Sequence, residues 1–436
     1  MNDPHSSRSR VPTPSWRLAD RLLRASAALL VTLPLLSATA GDWPQILGPR
    51  RDGVADGETL PASWPAGGPV RLWRVELGQG YAGPAVAGQR VVVFHRVGSQ
   101  ERIEAFDLGR GTRLWKADFP ASYRGGYDSD LGPRCVPVIA GDAVVVYGPA
   151  GDLRCVALQD GTTRWSRSLL SELGGEEGYF GAGSTPLVVG QRVLVNVGGR
   201  DGAGIVACDL ATGQTVWSTG EDAASYAAPT LTTHGQQPAA VFVTRLHCVA
   251  VDPATGKTLF RFPFGKRGPT VNAATPLVFD QQLFVSASYG VGAALKDWSG
   301  ESLANVWDND DTLSSQYTTP VYYEGRLYGT HGREDVGRAA LRCVVARSGQ
   351  VAWEVPNFGV AHVIRAGDKL LLVTADGRVV LAQATPAAFR SLGEFTLPDV
   401  KTRALPALAS GRLLLRTTRA AGGGELVCFS SSGTAP

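Results

Sequence analysis

AFDLGRGTRLW, Ala105–Trp115, decides the fold, because the chain keeps returning to it. The same unit reads ACDLATGQTVW at Ala207–Trp217 and AVDPATGKTLF at Ala250–Phe260, the latter with Phe for Trp. Shorter forms are QDGTTRW, Gln159–Trp165, and RSGQVAW, Arg347–Trp353. In Asp-x-x-x-Gly-x-x-x-Trp the Asp can bond the backbone of a tight turn, and the Gly supplies the positive φ that such a turn needs. Each copy therefore reads as a hairpin whose last strand ends in an aromatic residue. A unit repeated in this way along a chain means a modular β architecture.

A second motif alternates with the first: Pro, an apolar run, a Gly turn and another apolar run. YAGPAVAGQRVVVF from Tyr81 and GSTPLVVGQRVLVNVG from Gly183 are examples. The marker positions are Pro84, Pro137, Pro186, Pro229, Pro276, Pro320, His362 and Pro406, spaced by 53, 49, 43, 47, 44, 42 and 44 residues. Pro belongs at the start of a strand, where its missing N–H does least harm. The Val/Leu/Tyr-rich runs are β-forming. Four short strands in roughly 40–45 residues make one propeller blade. The eighth unit ends at ELVCFSSSG, Glu425–Gly433, without a Trp strand, and a spare one, PVRLWRVELG, lies at Pro69–Gly78. The expectation is an all-β, eight-bladed β-propeller of four-stranded blades, closed by the N-terminal strand completing the last blade. Closure removes free sheet edges.

Composition supports one large β domain. Gly 53 and Pro 27 suit a chain of many turns. The expected layout is a signal peptide over 1–40, an N-terminal segment over 41–69, the propeller over 70–430 and a tail over 431–436. Arg8, Arg10, Arg17, Arg21 and Arg24 precede an apolar core, Ala25–Leu36, and Ala38-Thr39-Ala40 offers a small-x-small cleavage site. Retention as an uncleaved anchor is the other reading. No Cys precedes Cys135, which argues against a lipoprotein, and the basic region has no adjacent Arg pair. The expectation is a soluble, monomeric protein of the periplasm or cell envelope, with no transmembrane segment after cleavage. The leader holds five Arg and two Asp; removing them from 42 basic and 39 acidic residues leaves 37 of each. That balance carries no basic footprint for nucleic acid. Of the six Cys, Cys155, Cys208, Cys248, Cys343 and Cys428 fall in the third-strand segment of five blades, which reads as a repeated small buried residue. A disulfide involving Cys135 stays open.

These residues resemble the pyrroloquinoline-quinone-type propeller repeat, whose docking motif is Ala-x-Asp-x-x-Thr-Gly-x-x-x-Trp. With the opening GDWPQILGPRRDG from Gly41, the chain is similar to exported bacterial BamB-like proteins over roughly Asp42–Phe429. The resemblance implies that Trp73, Trp115, Trp165, Trp217, Phe260, Trp307 and Trp353 pack between neighbouring blades. It also raises a quinoprotein dehydrogenase with quinone and Ca²⁺ on the axis. No adjacent Cys pair exists here, and no motif assigns the calcium ligands or the base.

Other chemistry is thin. WDNDDT, Trp307–Thr312, has the oxygens of a Ca²⁺ loop but lacks the central Gly and closing Glu of an EF-hand, so a solvated turn is the better reading. The His residues lack metal-ligand spacing. His362, at a marker position, faces the central funnel or is an ordinary loop residue. Neither GAGST, Gly181–Thr185, nor GVGAA, Gly290–Ala294, completes a nucleophile or phosphate motif.

The site argument comes from position in the repeat. Three residues before the markers stand Tyr81, Arg134, Gly183, Tyr226, Ala273, Tyr317, Gly359 and Arg403. They precede the innermost strands and would ring the mouth of the axis. Tyr81, Tyr226 and Tyr317 would offer amphipathic faces, and Arg134 and Arg403 carboxylate-binding forks. The alternative is that the Tyr residues wedge between blades. Two inserts, Tyr123–Arg134 and Leu173–Ser184, add Arg124, Tyr127 and Tyr179 as candidates, or merely cover the end of the ring. The functional expectation is a binding or scaffolding module without catalysis, without cofactor or metal, engaging an envelope protein or extended ligand on one face. A quinone-binding oxidoreductase is one alternative. An outer-membrane assembly factor or polysaccharide-binding protein is another.

Overall fold

The Pro-marked run of each repeat forms a short innermost strand, beginning with Ala85–Ala87, Val138–Ala140 and Leu187–Val189. The computed structural model describes residues 41–420 and 422–433; the expected leader lies outside them. Each innermost strand leads by antiparallel pairing through two middle strands to an outer one, and eight such four-stranded sheets form the propeller. Middle strands are largely apolar where neighbouring blades cover both faces: Ala143–Tyr147 is buried throughout. Outer strands alternate, as Thr163–Ser168 does, with one face on the next blade and one in water. One four-residue helix, Leu169–Glu172, buries Leu169 and Leu170 beneath the second insert.

The ring closes as the sequence predicts. Arg71–Leu77 runs antiparallel to Gly424–Ser430, from Arg71 opposite Phe429 to Leu77 opposite Gly424. This strand is the outer one of blade 8. The six Cys are buried and free, so Cys135 is not in a disulfide. Cys155, Cys343 and Cys428 stand directly opposite Trp165, Trp353 and Trp73.

Those tryptophans lock blade to blade. Trp73, Trp115, Trp165, Trp217, Trp307 and Trp353 each donate Nε1–H to a carbonyl of the following blade: Leu108, Leu158, Leu210, Pro253, Ala346 and Thr385, at 2.8–3.2 Å. All these rings but that of Trp353 lie on the turn glycine of that blade. A Cβ on Gly111, Gly161, Gly213 or Gly256 would sit 2.5–2.7 Å from a ring atom of Trp73, Trp115, Trp165 or Trp217. The repeat glycine thus has two reasons to be glycine: its positive φ, and the ring laid on it. Phe260, smaller than Trp, meets Trp298 of blade 5 edge-on at 4.7 Å.

Blade 7 lacks this device. Opposite Leu381, where the docking aromatic belongs, stands Gly393. Trp64 fills the place. Its backbone N–H bonds Leu392 O at 3.2 Å, its ring lies edge-on to Phe395 at 5.6 Å, and it packs against Gly433 of blade 8. The N-terminal segment therefore supplies the missing dock.

That segment also fills one end of the axis. Antiparallel strands segregate the loops: first-to-second and third-to-fourth strand turns lie at one end, hairpins between second and third strands and blade-to-blade links at the other. Gly41 and Glu58 meet the first-to-second turn of blade 8 through Ser410 and Gly411. Trp43 bridges Val86 of blade 1, and Val54 bridges Arg365 of blade 7. Between them Arg51, 1 % exposed, reaches into the ring. Its guanidinium donates to the carbonyls of Pro229 at 2.7 Å, Thr185 at 3.4 Å and Pro186, and to Gln45 Oε1 at 2.8 Å. Burial pushes its pKa down to about 9.

Candidate functional site

At the other end, Tyr81 and Tyr226 are each held by a carbonyl from the link that leads into the next blade. The N–H groups of Tyr81 and Ala82 both bond Pro133 O, and those of Tyr226 and Ala227 both bond Asn272 O. Large and small residues share the ring: a Cβ on Gly183 would lie 2.8 Å from the Tyr226 ring, so the glycine makes room for it.

The five larger residues join into one cluster. The Arg403 guanidinium faces both oxygens of Glu334, at 2.9–3.1 Å. Tyr317 donates its hydroxyl to the same carboxylate at 2.8 Å. Arg403 also lies 5.6 Å from the centre of the Tyr81 ring, and Arg134 lies 5.4 Å from it. Arg134 in turn sits 5.6 Å from Phe180, whose ring meets Tyr226 at 5.7 Å. The chain of contact runs Tyr317–Glu334–Arg403–Tyr81–Arg134–Phe180–Tyr226, from blade 6 across blades 8, 1 and 2 to blade 4.

Neither arginine is a free fork. Arg403 is occupied by Glu334. Arg134 donates to Gly132 O at 2.9 Å, Asp130 O at 3.3 Å and Asp128 Oδ2 at 3.4 Å. The carboxylate clamp expected from sequence is therefore closed by the protein's own groups, and the cluster is a preorganised polar and aromatic surface rather than an anion trap. Burial opposes the Arg403 charge, but the bonds to Glu334 outweigh it and raise its pKa. Burial and Glu334 hold the Tyr317 hydroxyl well above its ordinary range.

The insert residues divide. Tyr127 is 75 % exposed and stands edge-on to Tyr179 at 5.0 Å. Tyr179 spans to the link before blade 5 through Gly268 O at 3.2 Å. Tyr226 accepts the Phe180 N–H at 2.8 Å, so it pins the second insert as well as facing the mouth. Arg124 is exposed and takes no part in the cluster. His362 is no loop residue: it lies buried in the innermost strand of blade 7, Ala361–Ala366, donates Nε2–H to Arg403 O at 2.8 Å and leaves Nδ1 without a partner. Burial lowers its pKa to about 4, so it is neutral at pH 7.

Glu334 and Phe180 escape the offset rule that locates the other members. Glu334 stands just past Arg326–Arg333, one of two eight-residue strands in blade 6 joined by a hairpin that overhangs the mouth. The only cue in the sequence is the length of that pair.

These residues do not fit a quinone–calcium pair. Ca²⁺ takes six to eight oxygens, whereas both Glu334 oxygens are held by Arg403, and the Asp130 oxygens accept the Gly80 and Gly132 N–H groups. Among the described residues no group of three or more His, Cys, Asp or Glu could hold a metal ion. In Trp307–Thr312, Asn309 Oδ1 accepts the N–H groups of Asp311 and Thr312, the bonding of a capped turn.

Comparison with solved structures shows the fold again. BamB from Moraxella catarrhalis is 16% identical, with TM-score 0.58 over 82% of this chain and 97% of that one. Quinohemoprotein alcohol dehydrogenase from Comamonas testosteroni is also 16% identical, with TM-score 0.69 over 92% of this chain and 82% of that one. The computationally designed Ika8 protein is 14% identical, with TM-score 0.53 over 83% and 99%. No curated protein gives a significant match. A family profile described as "Outer membrane protein assembly factor BamB" matches residues 99–355, more than half of the chain. The chain belongs to that BamB family of quinoprotein-type propellers.

Proposed function

We propose that this propeller is a non-catalytic binding module of the cell envelope, and that its partner docks on the mouth formed by Tyr81, Arg134, Tyr226, Tyr317 and Arg403. One observation carries the reading: the two ends of the axis differ. Arg51 and its segment fill one. The other presents a connected aromatic and charged surface with Tyr127 standing free beside it. Rigid rings that carry variable links at one end use that end for recognition. The internally paired arginines favour a partner that meets hydroxyls and ring faces over one bound by its charge. The 1–40 leader supports export with cleavage after Ala40. Among the described residues no helix is long and apolar enough to cross a membrane.

Affinity capture from envelope extracts tests this. The full-length exported protein should retain a partner that the Tyr226→Ala/Tyr317→Ala variant releases. Equal retention by both would count decisively against the mouth. An outer-membrane assembly protein as the captured partner would extend the family's described role to this chain. Stoichiometric quinone, seen by visible absorbance and mass spectrometry of the purified protein, would instead support the oxidoreductase reading.

A further inference from the structure

A second concave site opens on the same end of the ring, over blades 5 and 6. It is a groove of about 600 Å³ lined by Tyr289, Asp310, Asp311, His331, Arg333 and Arg338, among others, within the size range of ligand pockets. It adjoins the axial cluster without sharing a lining residue with it: Gln316 accepts the Glu334 N–H at 2.7 Å on its Oε1 and donates from Nε2 to the Tyr289 hydroxyl. We propose that this groove is a binding subsite for a neutral saccharide chain, with Tyr289 as the stacking platform.

The platform is held at a cost. Tyr289 has φ +66°, a left-handed conformation unusual for an aromatic residue. Glycine would adopt it freely, and glycine does occupy the next position. Such strain at a bulky residue is a feature found at ligand sites. The ring is also fixed from two sides. Arg333 stacks over it at 4.2 Å, itself anchored on Asp335, and Gln316 Nε2 donates to its hydroxyl at 2.9 Å. A planar, immobile ring in an open groove suits the C–H face of a pyranose.

The polar groups suit its hydroxyls. The Ser314 N–H donates to His331 Nδ1 at 3.1 Å, which fixes the neutral ring with its proton on Nε2. Asp310 is oriented by the Ser314 hydroxyl at 2.6 Å. The Asp311 carboxylate and the Arg338 guanidinium have no hydrogen-bond or ion-pair partner among the described residues. Donors and acceptors thus stand side by side: with Arg333 held by Asp335, the two aspartates are balanced by Arg338 and by Lys266, whose Nζ reaches Gly290 of the lining. A polyanion would meet Asp310 and Asp311, and a polycation Lys266 and Arg338. A polyhydroxylated neutral chain pairs with both kinds of group. A proline-rich peptide needs successive aromatic ridges, and this groove has one.

The test is titration of the full propeller with cellohexaose, hexa-N-acetylchitohexaose and xylohexaose, followed by calorimetry and saturation-transfer NMR. At least one hexasaccharide should bind. Tyr289→Gly should weaken it roughly tenfold or more, while leaving the melting midpoint unchanged or higher, because glycine relieves the backbone. Asp311→Asn/Arg338→Gln should weaken it similarly. The mouth variant Tyr226→Ala/Tyr317→Ala should bind as wild type, so failure of the groove leaves the mouth reading standing. No binding of any hexasaccharide at millimolar concentration overturns the proposal. So does binding untouched by Tyr289→Gly, or preference for a proline-rich decapeptide over all three sugars.

Discussion

Trp64→Ala should loosen one joint of the ring, and the structure sets the size of the effect. Trp64 is 6 % exposed and sits where blade 7 has Gly393 instead of a docking aromatic. Its Nε1 has no partner, so the loss is apolar contact with Phe395 and the turn at Gly433 rather than a hydrogen bond. Removing a buried aromatic costs about 3–5 kcal/mol. An unfolding entropy of ~2.1 cal/mol/K per residue over roughly 390 residues gives ~0.8 kcal/mol/K, so ~4 kcal/mol lowers Tm by about 5 °C. Trp115→Ala should cost more, because it also removes the 2.9 Å bond to Leu158 O. Tyr127→Ala, at an exposed ring, should leave Tm unchanged. Scanning calorimetry of the three variants decides. A Trp64→Ala midpoint equal to wild type, or lower than that of Trp115→Ala, would refute the claim that Trp64 is the eighth dock.

Further outcomes follow from the same joints. Gly161→Ala should destabilise strongly, since its Cβ would lie 2.5 Å from Trp115 at φ +75°, whereas Gly141→Ala, at φ +61° with nothing within 4 Å, should pay only for its backbone; equal losses by urea denaturation would contradict the docking role. Deleting Pro69–Gly78 leaves the edge of Gly424–Ser430 unpaired and should give aggregates by size-exclusion chromatography, whereas a soluble monomer with native melting refutes closure. His362 has a folded pKa of about 4 against 6.5, so between those values the unfolded chain binds the proton and the folded chain does not. Stability should therefore fall as pH drops from 6.5 to 4, by roughly 3 kcal/mol from this residue. His362→Gln, which keeps a donor for Arg403 O, should flatten that slope; an unchanged pH profile would exclude burial of a neutral imidazole.

The ring was legible in the sequence because its joints are chemical and repeat. A Trp that must reach a carbonyl, and a Gly that must lie under it, cannot drift without losing the dock. The seven predicted docking residues accordingly stand at blade-to-blade contacts. The eighth was illegible because Trp64 comes from a stretch with no repeat and no strand pattern, and only Gly393 in register with Leu381 reveals the vacancy it fills. Arg51 was hidden for the same reason: nothing in GPRRDG distinguishes a buried Arg from a solvated one. At the mouth, the offset from the Pro marker located five residues, but their pairing depended on Glu334, which reaches them from a hairpin tip in blade 6. Pairing then changed the chemistry, turning two apparent anion forks into satisfied groups.

The same constraint explains why the mouth end carries what is distinctive about this chain. Turns between third and fourth strands lie at the plugged end; six are covered by a neighbour's Trp, that of blade 5 by Phe260 and that of blade 8 by Trp64. Lengthening one would lift the ring from its glycine and undo the joint. Links between blades and hairpins between second and third strands lie at the opposite end, where no dock restrains them. Insertions are tolerated there, and there they occur: Tyr123–Arg134, Leu173–Ser184 and the overhanging hairpin that carries Glu334. The axial cluster and the Tyr289 groove are both built from such segments. Residues that differ from repeat to repeat can accumulate only where the packing between repeats does not forbid them, so the inserts of this ring gather at one end because of the mechanics that hold the ring together.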